Sequence, residues 1–384
     1  MQLDLPKSTQ PMSITLAEDR PVPVKIVVVG IGGAGGNAVD RMRDAGIGGV
    51  ELVAANTDIQ ALQQSQAPLK LQIGAQITGG LGCGGDPELG RRSALEDTER
   101  ILDLLEGADM VFLTGGLGGG TCTGAAPVIG SLAAESGALT VAVVTTPFGF
   151  LGRKRRQYAE AALRELQSAV DTLITIPNER LLAVLGEDAL LEESFCFADD
   201  VLCQAVQGIS DIITKPGIIN VDFADVRAVM AGKGMAWMGT GTAEGADRAV
   251  AAARRAISNP LLEAPFAAGG STVLLNITGR RGSMKLREAE AAAAAVGQMA
   301  SVADLYFGAI YDDTMGDRIK VTVIATGCRQ ADSDDAEPAE TPSRPSGHPA
   351  GTQPPPAVSG IFEGALPSFK ENLDVPAYKR RNAK

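Results

Sequence analysis

The chain has 384 residues, is 45% hydrophobic and carries a formal net charge of −12. That acidity argues against a nucleic-acid partner, which calls for a basic face, and the single histidine, His348 in a proline-rich stretch, leaves no basis for histidine acid–base catalysis or metal ligation. No apolar run approaches the ~20 residues of a membrane span, so no direct membrane insertion is expected, and five cysteines without a CxxC pair point to reduced thiols in the cytoplasm.

Residues 1–22 are polar, contain Pro6, Pro11 and Pro21, and read as a loose arm without a signal-peptide core. The β-branched run Val24–Val29 predicts a buried strand. It enters a glycine loop, Gly30–Asn37, and a helix with Ala38, Val39 and Met42 on one face. Gly30, Gly32 and Gly35 satisfy G-x-G-x-x-G, the dinucleotide fingerprint, and Glu51 lies about 20 residues on, where a ribose-binding acid would be sought. Against that reading, Glu51 precedes the strand-like Leu52–Ala55 instead of ending it, and a dinucleotide site has no use for a second glycine loop downstream. A dinucleotide-dependent oxidoreductase stays open here as an alternative.

Asn56-Thr57-Asp58 follows the second strand, where polar ligand contacts gather in an open α/β sheet. A polar helix at 61–66, a glycine-rich connection at 79–87 and a helix over 93–105 come next, the last with Leu95, Ile101, Leu102 and Leu105 inward. The apolar run Ala108–Leu113 then predicts a buried strand before Thr114–Pro127, TGGLGGGTCTGAAP. Strand, glycine loop and helix start, with proline in the first turn, make an anion site from backbone N–H groups and the helix dipole. Thr121 and Thr123 add hydroxyl donors. Neither glycine loop holds a lysine and GxxxxGK[ST] is missing, so this is no P-loop. Phosphate charge would be met by N–H groups, dipoles and a largely water-ligated magnesium ion.

Strands are expected at Thr140–Val144 and Leu173–Ile176, and an amphipathic helix at Arg153–Val170 with Tyr158, Ala162, Leu166 and Val170 on one face. A long helix over Phe195–Ile213 should run through the centre of the molecule until Lys215-Pro216-Gly217 breaks it. Asn220, Asp222 and Asp225 then form NxDxxD at a helix start. The two acids, three apart, share a face and could polarise water; as residues alone they read better as acids complementing a helix dipole. Strand patterns at 235–240, 271–277, 303–311 and 319–325 alternate with helices at 246–257 and 284–299. The expected fold is α/β: a doubly wound parallel-sheet domain over 23–214, the long helix, and a smaller mixed α/β domain over 215–328. Residues 329–372, acidic and then proline-rich, read as a disordered linker, and 373–384 as a tail with apolar anchors beside a basic cluster.

These motifs resemble the tubulin/FtsZ family of GTPases, and the FtsZ branch throughout. GGLGGGTCTGAAP resembles its signature loop; NTD at 56–58, GADMVFLTGG at 107–116, TLITIPN at 172–178, AVQGISDII at 205–213, NVDFADV at 220–226 and LDVPAYKRR at the tail extend the match. The resemblance implies a polymer-forming, GTP-hydrolysing cell-division protein, cytoplasmic, at a midcell ring. It implies that Gly33, Ala34, Gly35, Gly36 and Asn37 hold the nucleotide and that Gly118, Gly119, Gly120, Thr121 and Cys122 wrap the phosphates. Arg155 would reach the ribose and phosphate side, Phe195 would lie against the base, and Asp199 would accept the guanine N–H donors. Asn220, Asp222 and Asp225 would act on the GTP of an adjacent subunit, and residues 373–381 would dock membrane-anchoring and regulatory division proteins. Two positions depart from the pattern. Leu151 stands where the family usually has glutamate, and Cys122 where it has glycine. They motivate a second alternative, a weakly active paralogue that co-assembles with an active member.

Overall fold

The computed structural model describes residues 24–186, 190–215, 217–258, 272–299 and 304–327. The arm at 1–22, the linker at 329–372, the tail at 373–384, Cys328 and the helix-breaking Pro216 lie outside them.

The first half alternates strand and helix: β1 (Ile26–Ile31), α1 (Gly32–Asp44), β2 (Val50–Asn56), α2 (Ile59–Gln64), β3 (Leu69–Gln72), α3 (Ala75–Thr78), α4 (Pro87–Glu96), α5 (Thr98–Leu105), β4 (Met110–Gly116), α6 (Thr121–Glu135), β5 (Leu139–Thr146), α7 (Arg153–Ala169) and β6 (Thr172–Pro177). After α8 (Asn178–Leu185) comes the long α9 (Leu191–Thr214), then β7 (Gly217–Ile219), α10 (Phe223–Met230), β8 (Gly234–Ala243), α11 (Arg248–Ile257), β9 (Thr272–Gly279), α12 (Leu286–Met299), β10 (Asp304–Tyr311) and β11 (Ile319–Thr326).

Among the described residues the strands form one sheet in the order β3-β2-β1-β4-β5-β6-β8-β11-β9-β10-β7. The first six are parallel neighbours, as a doubly wound fold requires. Beyond β8 the pairing turns mixed, with β11 antiparallel to both β8 and β9. Strands buried on both faces read as unbroken apolar runs, and β1, IVVVGI, is fully buried. One face packs against α1, α9 and α10 through Val28, Val39, Phe112, Leu202, Val206 and Val229. The opposite face packs under α5, α6 and α7. In the second half α11 and α12 cover a third cluster around Val273, Leu275 and Val323. Helix α9 joins the halves, because Leu202 and Val206 share a cluster with Leu274 and Ile324.

Two expectations need correction. The helix expected over 93–105 is two helices broken at Asp97, whose carboxylate accepts the Gly74 N–H at 2.7 Å and pairs with Arg100. The break shifts the helical phase, so Ile101 and Leu105 are buried while Leu95 and Leu102 face solvent. Strands β3 and β7 were not expected; both are short edge strands carrying too few residues for a period to declare itself.

Candidate nucleotide site

The sheet order reverses between β1 and β4, and ligands of such sheets bind at the carboxyl ends of strands at that point. Ile31 ends β1, Gly116 ends β4, Thr145 lies at the end of β5 and Asn178 follows β6; all four line one cleft of about 240 Å³. Gly33, Ala34, Gly119, Gly120, Thr121, Cys122, Arg155, Phe195 and Asp199 line it too. A second cleft of about 240 Å³ shares Gly32 and Gly33 and continues along α1 past Gly36, Asn37 and Asp40. Of the expected nucleotide contacts, Gly35 and Gly118 line neither cleft.

Glycine serves two purposes here. A methyl group added at Gly33, Gly36 or Gly119 would meet no protein atom within 4 Å, and none of the three needs a left-handed backbone. Neither packing nor conformation requires glycine there. Bare backbone facing an open cleft lets a ligand approach the N–H groups closely. Other glycines hold the scaffold. A methyl at Gly35 would lie 2.6 Å from the Thr114 carbonyl oxygen, so this residue lets α1 pack onto β1 and β4. Gly118 has φ +93° and donates its N–H to Thr123 Oγ1 at 2.9 Å. Thr123 is buried and lines neither cleft, its oxygen accepting within that turn, which corrects the expectation that its hydroxyl faces a ligand.

Cys122 does not crowd the cleft with its sulfur. Its side chain is buried in the core under α6, and a methyl on Gly115 would lie 2.6 Å from its Sγ. Burial pushes the thiol up to about 12, so it stays protonated and inert. Its N–H belongs to the first turn of α6, whose N–H groups have no partner inside the helix.

Phe195 and Asp199 give the cleft an aromatic and an acidic lining. Phe195 meets Phe148 edge-on at 5.3 Å between ring centres, and Phe148 stacks on Phe150 at 5.4 Å. Asp199, buried on α9, faces Arg41 of α1, with Nε 4.0 Å from its Oδ2; the same guanidinium binds Asp200 at 2.6 Å. Burial raises the Asp199 carboxyl to about 7 against the pull of Arg41. Asn178 is buried too, and its Oδ1 accepts no hydrogen bond. An orphaned buried acceptor in a cleft wall invites a donor from a ligand. An aromatic ring, an acceptor amide, a carboxylate, an arginine and bare backbone N–H groups lining one cleft suit a purine nucleotide.

The comparisons with known proteins agree with that chemistry. Residues 25–186 match the GTPase domain of the Tubulin/FtsZ family, and residues 234–329 the C-terminal domain of the FtsZ family. The chain is 54% identical over 303 residues to the cell division protein FtsZ of Pseudomonas aeruginosa, covering 79% of this chain and 77% of that protein. It is 52% identical over 313 residues to the FtsZ of Coxiella burnetii, covering 81% of each. The chain belongs to the FtsZ family. A solved structure of an FtsZ dimer from M. jannaschii superposes with a TM-score of 0.76 at 41% identity, covering 80% of this chain and 89% of that one. As a member of the FtsZ family the chain is a GTPase that binds GTP and GDP.

Membership displaces the dinucleotide oxidoreductase reading. Glu51 is the second residue of β2, its side chain out in solvent near Lys25 at 3.8 Å. Several cleft residues escaped sequence reasoning. Asn178 is legible only as the end of TLITIPN, and Thr145, Pro147 and Ala198 carry no motif; strand ends next to a switch point are the available signal. Leu151, which stands where the family usually has glutamate and is not among the expected contacts, does line the cleft, as Arg155 does.

Asn220, Asp222 and Asp225 line neither cleft. Asp222 caps α10, and Asn220 Oδ1 accepts the Gly217 N–H at 2.7 Å. Next to them, Ile218 and Ile219 are exposed on β7, at the edge of the sheet.

Proposed function

We propose that this FtsZ-family chain assembles head to tail into filaments at the division site, and that each cleft becomes a complete GTPase site only when the next subunit covers it. The observation that carries this is the separation of binding groups from acids. Among the described residues, Asp199 is the acid that lines the first cleft with the bare N–H groups, Arg155 and Asn178, and Asp40 of the second cleft is engaged by the Ser65 hydroxyl and the Gln66 N–H. Solvent-facing acids sit instead on α10, beside exposed Ile218 and Ile219. Leu81, 85% exposed on the connection before α4, and Phe150 give the cleft end apolar surface of its own. Two unlike apolar patches suit a heterologous contact that does not close and so builds a filament.

In this reading Gly33, Ala34, Gly35, Gly36 and Asn37, with Gly118, Gly119, Gly120, Thr121 and Cys122, bind the phosphates. Arg155 reaches the ribose side, Phe195 covers the base, and Asp199 accepts guanine N–H groups while Asn178 accepts a further donor. Asn220, Asp222 and Asp225 of the neighbouring subunit orient and deprotonate the attacking water. Among the described residues no group of three His, Cys, Asp or Glu side chains is placed to hold a metal. A magnesium ion would therefore be held chiefly by phosphate oxygens and water, neutralising charge as phosphate departs. Residues 23–214 form the GTP-binding half and 215–328 the half that carries the acids; the separate family matches on either side of α9 support that division. Among the described residues no helix is long and apolar enough to cross a membrane. Attachment at midcell would fall to residues 373–381 through membrane-anchoring and regulatory division proteins.

The test is GTP turnover per subunit against protein concentration, with sedimentation in GTP and in GDP. Turnover should rise with concentration and then level off, and polymer should pellet in GTP only. Turnover that stays constant on dilution would contradict catalysis between subunits.

A further inference from the structure

Three small side chains from three connections meet behind the phosphate loop. Thr57, fully buried after β2, places its Oγ1 2.7 Å from Thr121 Oγ1 and 3.4 Å from Cys83 Sγ. Thr121 Oγ1 lies 3.6 Å from the same sulfur. Thr121 opens α6 and lines the cleft, whereas Thr57 lines neither cleft. The Thr57 backbone is held independently. Its N–H donates to Asn56 Oδ1 at 2.8 Å and its carbonyl accepts from Thr78 Oγ1 at 3.4 Å.

Each of the three groups has one proton to give and can also accept. With the cleft empty, Thr121 can give its proton to Cys83. When Thr121 turns that proton towards a phosphate oxygen, its own oxygen becomes an acceptor, and the Thr57 hydroxyl is a donor already in place at 2.7 Å. Thr57 can then accept in turn from the Cys83 thiol, and the whole chain of protons points at the cleft.

The geometry points to Thr57 as a positioning residue of the GTPase site: its hydroxyl donates to Thr121 Oγ1 and so commits the Thr121 proton to the phosphate. This rests on the reading of residues 118–122 as the phosphate-wrapping loop. Valine at position 57 would keep the shape but supply neither donor nor acceptor. Thr121 would then turn to Cys83, at the contact already present, and withdraw its proton from the nucleotide. Thr57 acts through Thr121, so its loss should weaken the transition state more than ground-state binding.

The experiment uses the full chain, at concentrations where turnover per subunit has levelled off, with Thr57→Val, Thr57→Ser and the double variant Thr57→Val/Cys83→Ala. GTP hydrolysis gives kcat and KM, a fluorescent GDP gives affinity, and a thermal melt reports folding. Thr57→Val should lower kcat about tenfold, the size of one misdirected hydrogen bond, with KM and GDP affinity within about threefold. Thr57→Ser should restore most of kcat. The double variant should recover part of it, because Thr121 has lost the sulfur that competes for its proton. An unchanged kcat in Thr57→Val overturns the role. So does a variant that fails to fold, or one that loses kcat and GDP affinity together without rescue by serine, since the hydroxyl would then be structural. A wild-type chain that binds no guanine nucleotide would instead sink the reading of the cleft.

Discussion

Asp222 and Asp225 hold each other at the start of α10. The Asp225 N–H donates to Asp222 Oδ1 at 2.8 Å, and the Asp222 N–H donates to Asp225 Oδ2 at 3.4 Å. This reciprocal cap satisfies N–H groups that the helix leaves without partners. It also fixes two carboxylates side by side, Asp222 exposed and Asp225 half-buried. The cap and the proposed catalysis therefore make the same demand on these residues, and only a substitution that keeps the cap can separate them.

Asp222→Asn is that substitution, because asparagine caps as well as aspartate but is no base. The thermal midpoint should stay within about 1 °C, and GTP binding to the isolated subunit should hardly change. Hydrolysis should fall by about 100-fold or more, the usual contribution of a general base. Phosphate release checks it. Mixing the variant with wild type should give turnover at junctions where a wild-type subunit supplies the acids; a fully active Asp222→Asn would remove the catalytic role.

The cap explains why this segment is hard to read from sequence. Two acids three residues apart at a helix start mean a cap far more often than a catalyst, and the cap is real. The glycine loops were legible because strand, glycine and helix start occur in one order with one physical use. Sequence could not separate Gly33 and Gly36, which face open space, from Gly35, which is crowded by Gly30 and Thr114. Packing decides that, and packing is non-local. Asn178 and Leu151 reach the cleft only because β5 and β6 pair in register and end together, a relationship between strands that no single stretch encodes.

The proposed guanine contact of Asp199 should make nucleotide affinity depend on pH. Burial pushes its carboxyl up to about 7, well above the ordinary 3.8, because it disfavours the charge more than Arg41 favours it. Asp200 adds repulsion on the same helix, and Cys196 stands near Arg41. Accepting two guanine N–H donors requires the carboxylate. Affinity for GDP should therefore be level above pH 7 and weaken as pH falls through it, approaching tenfold per unit below. The stability of the empty protein runs the other way. The unfolded chain loses this proton near pH 4 and the folded chain near 7, so the Asp199 contribution to stability declines between those values as pH rises. GDP titrations from pH 6 to 8 check the first statement, and Asp199→Asn should flatten the profile; a wild-type profile already flat over that range would exclude the guanine contact.

Gly36 offers a trade of stability against binding. It lies inside α1 with a helical backbone and open space where a methyl group would go. Gly36→Ala should stabilise the helix by about 0.5–1 kcal/mol, raising the thermal midpoint of the empty protein by about 1–3 °C. The same methyl would project into the cleft along α1 and hold the nucleotide away from the backbone. GTP affinity should drop about tenfold or more, one displaced phosphate contact being worth about 1.5–3 kcal/mol. Differential scanning calorimetry and equilibrium binding on one preparation check both signs. A stabilised variant with wild-type affinity would show that the nucleotide does not pass this face of α1.

Leu151 ends a short 3-10 turn between β5 and α7 and lines the cleft with Arg155. The turn is braced from outside, where the Gly149 N–H donates to the Glu179 carboxylate, so its position does not depend on what residue 151 binds. Leu151→Glu should therefore leave the fold intact and place an acceptor where none stands now. A hydrogen bond from a ribose hydroxyl to a partly solvated carboxylate contributes about 1 kcal/mol, which corresponds to about fivefold tighter GTP and GDP. The gain belongs to ground-state binding, so KM should fall while kcat changes little. A deoxyribose nucleotide supplies the control for whichever hydroxyl is engaged: the variant should gain nothing towards the analogue that lacks it. Equal gains for ribose and both deoxyribose forms would mean that the carboxylate acts through Arg155 and not through the sugar.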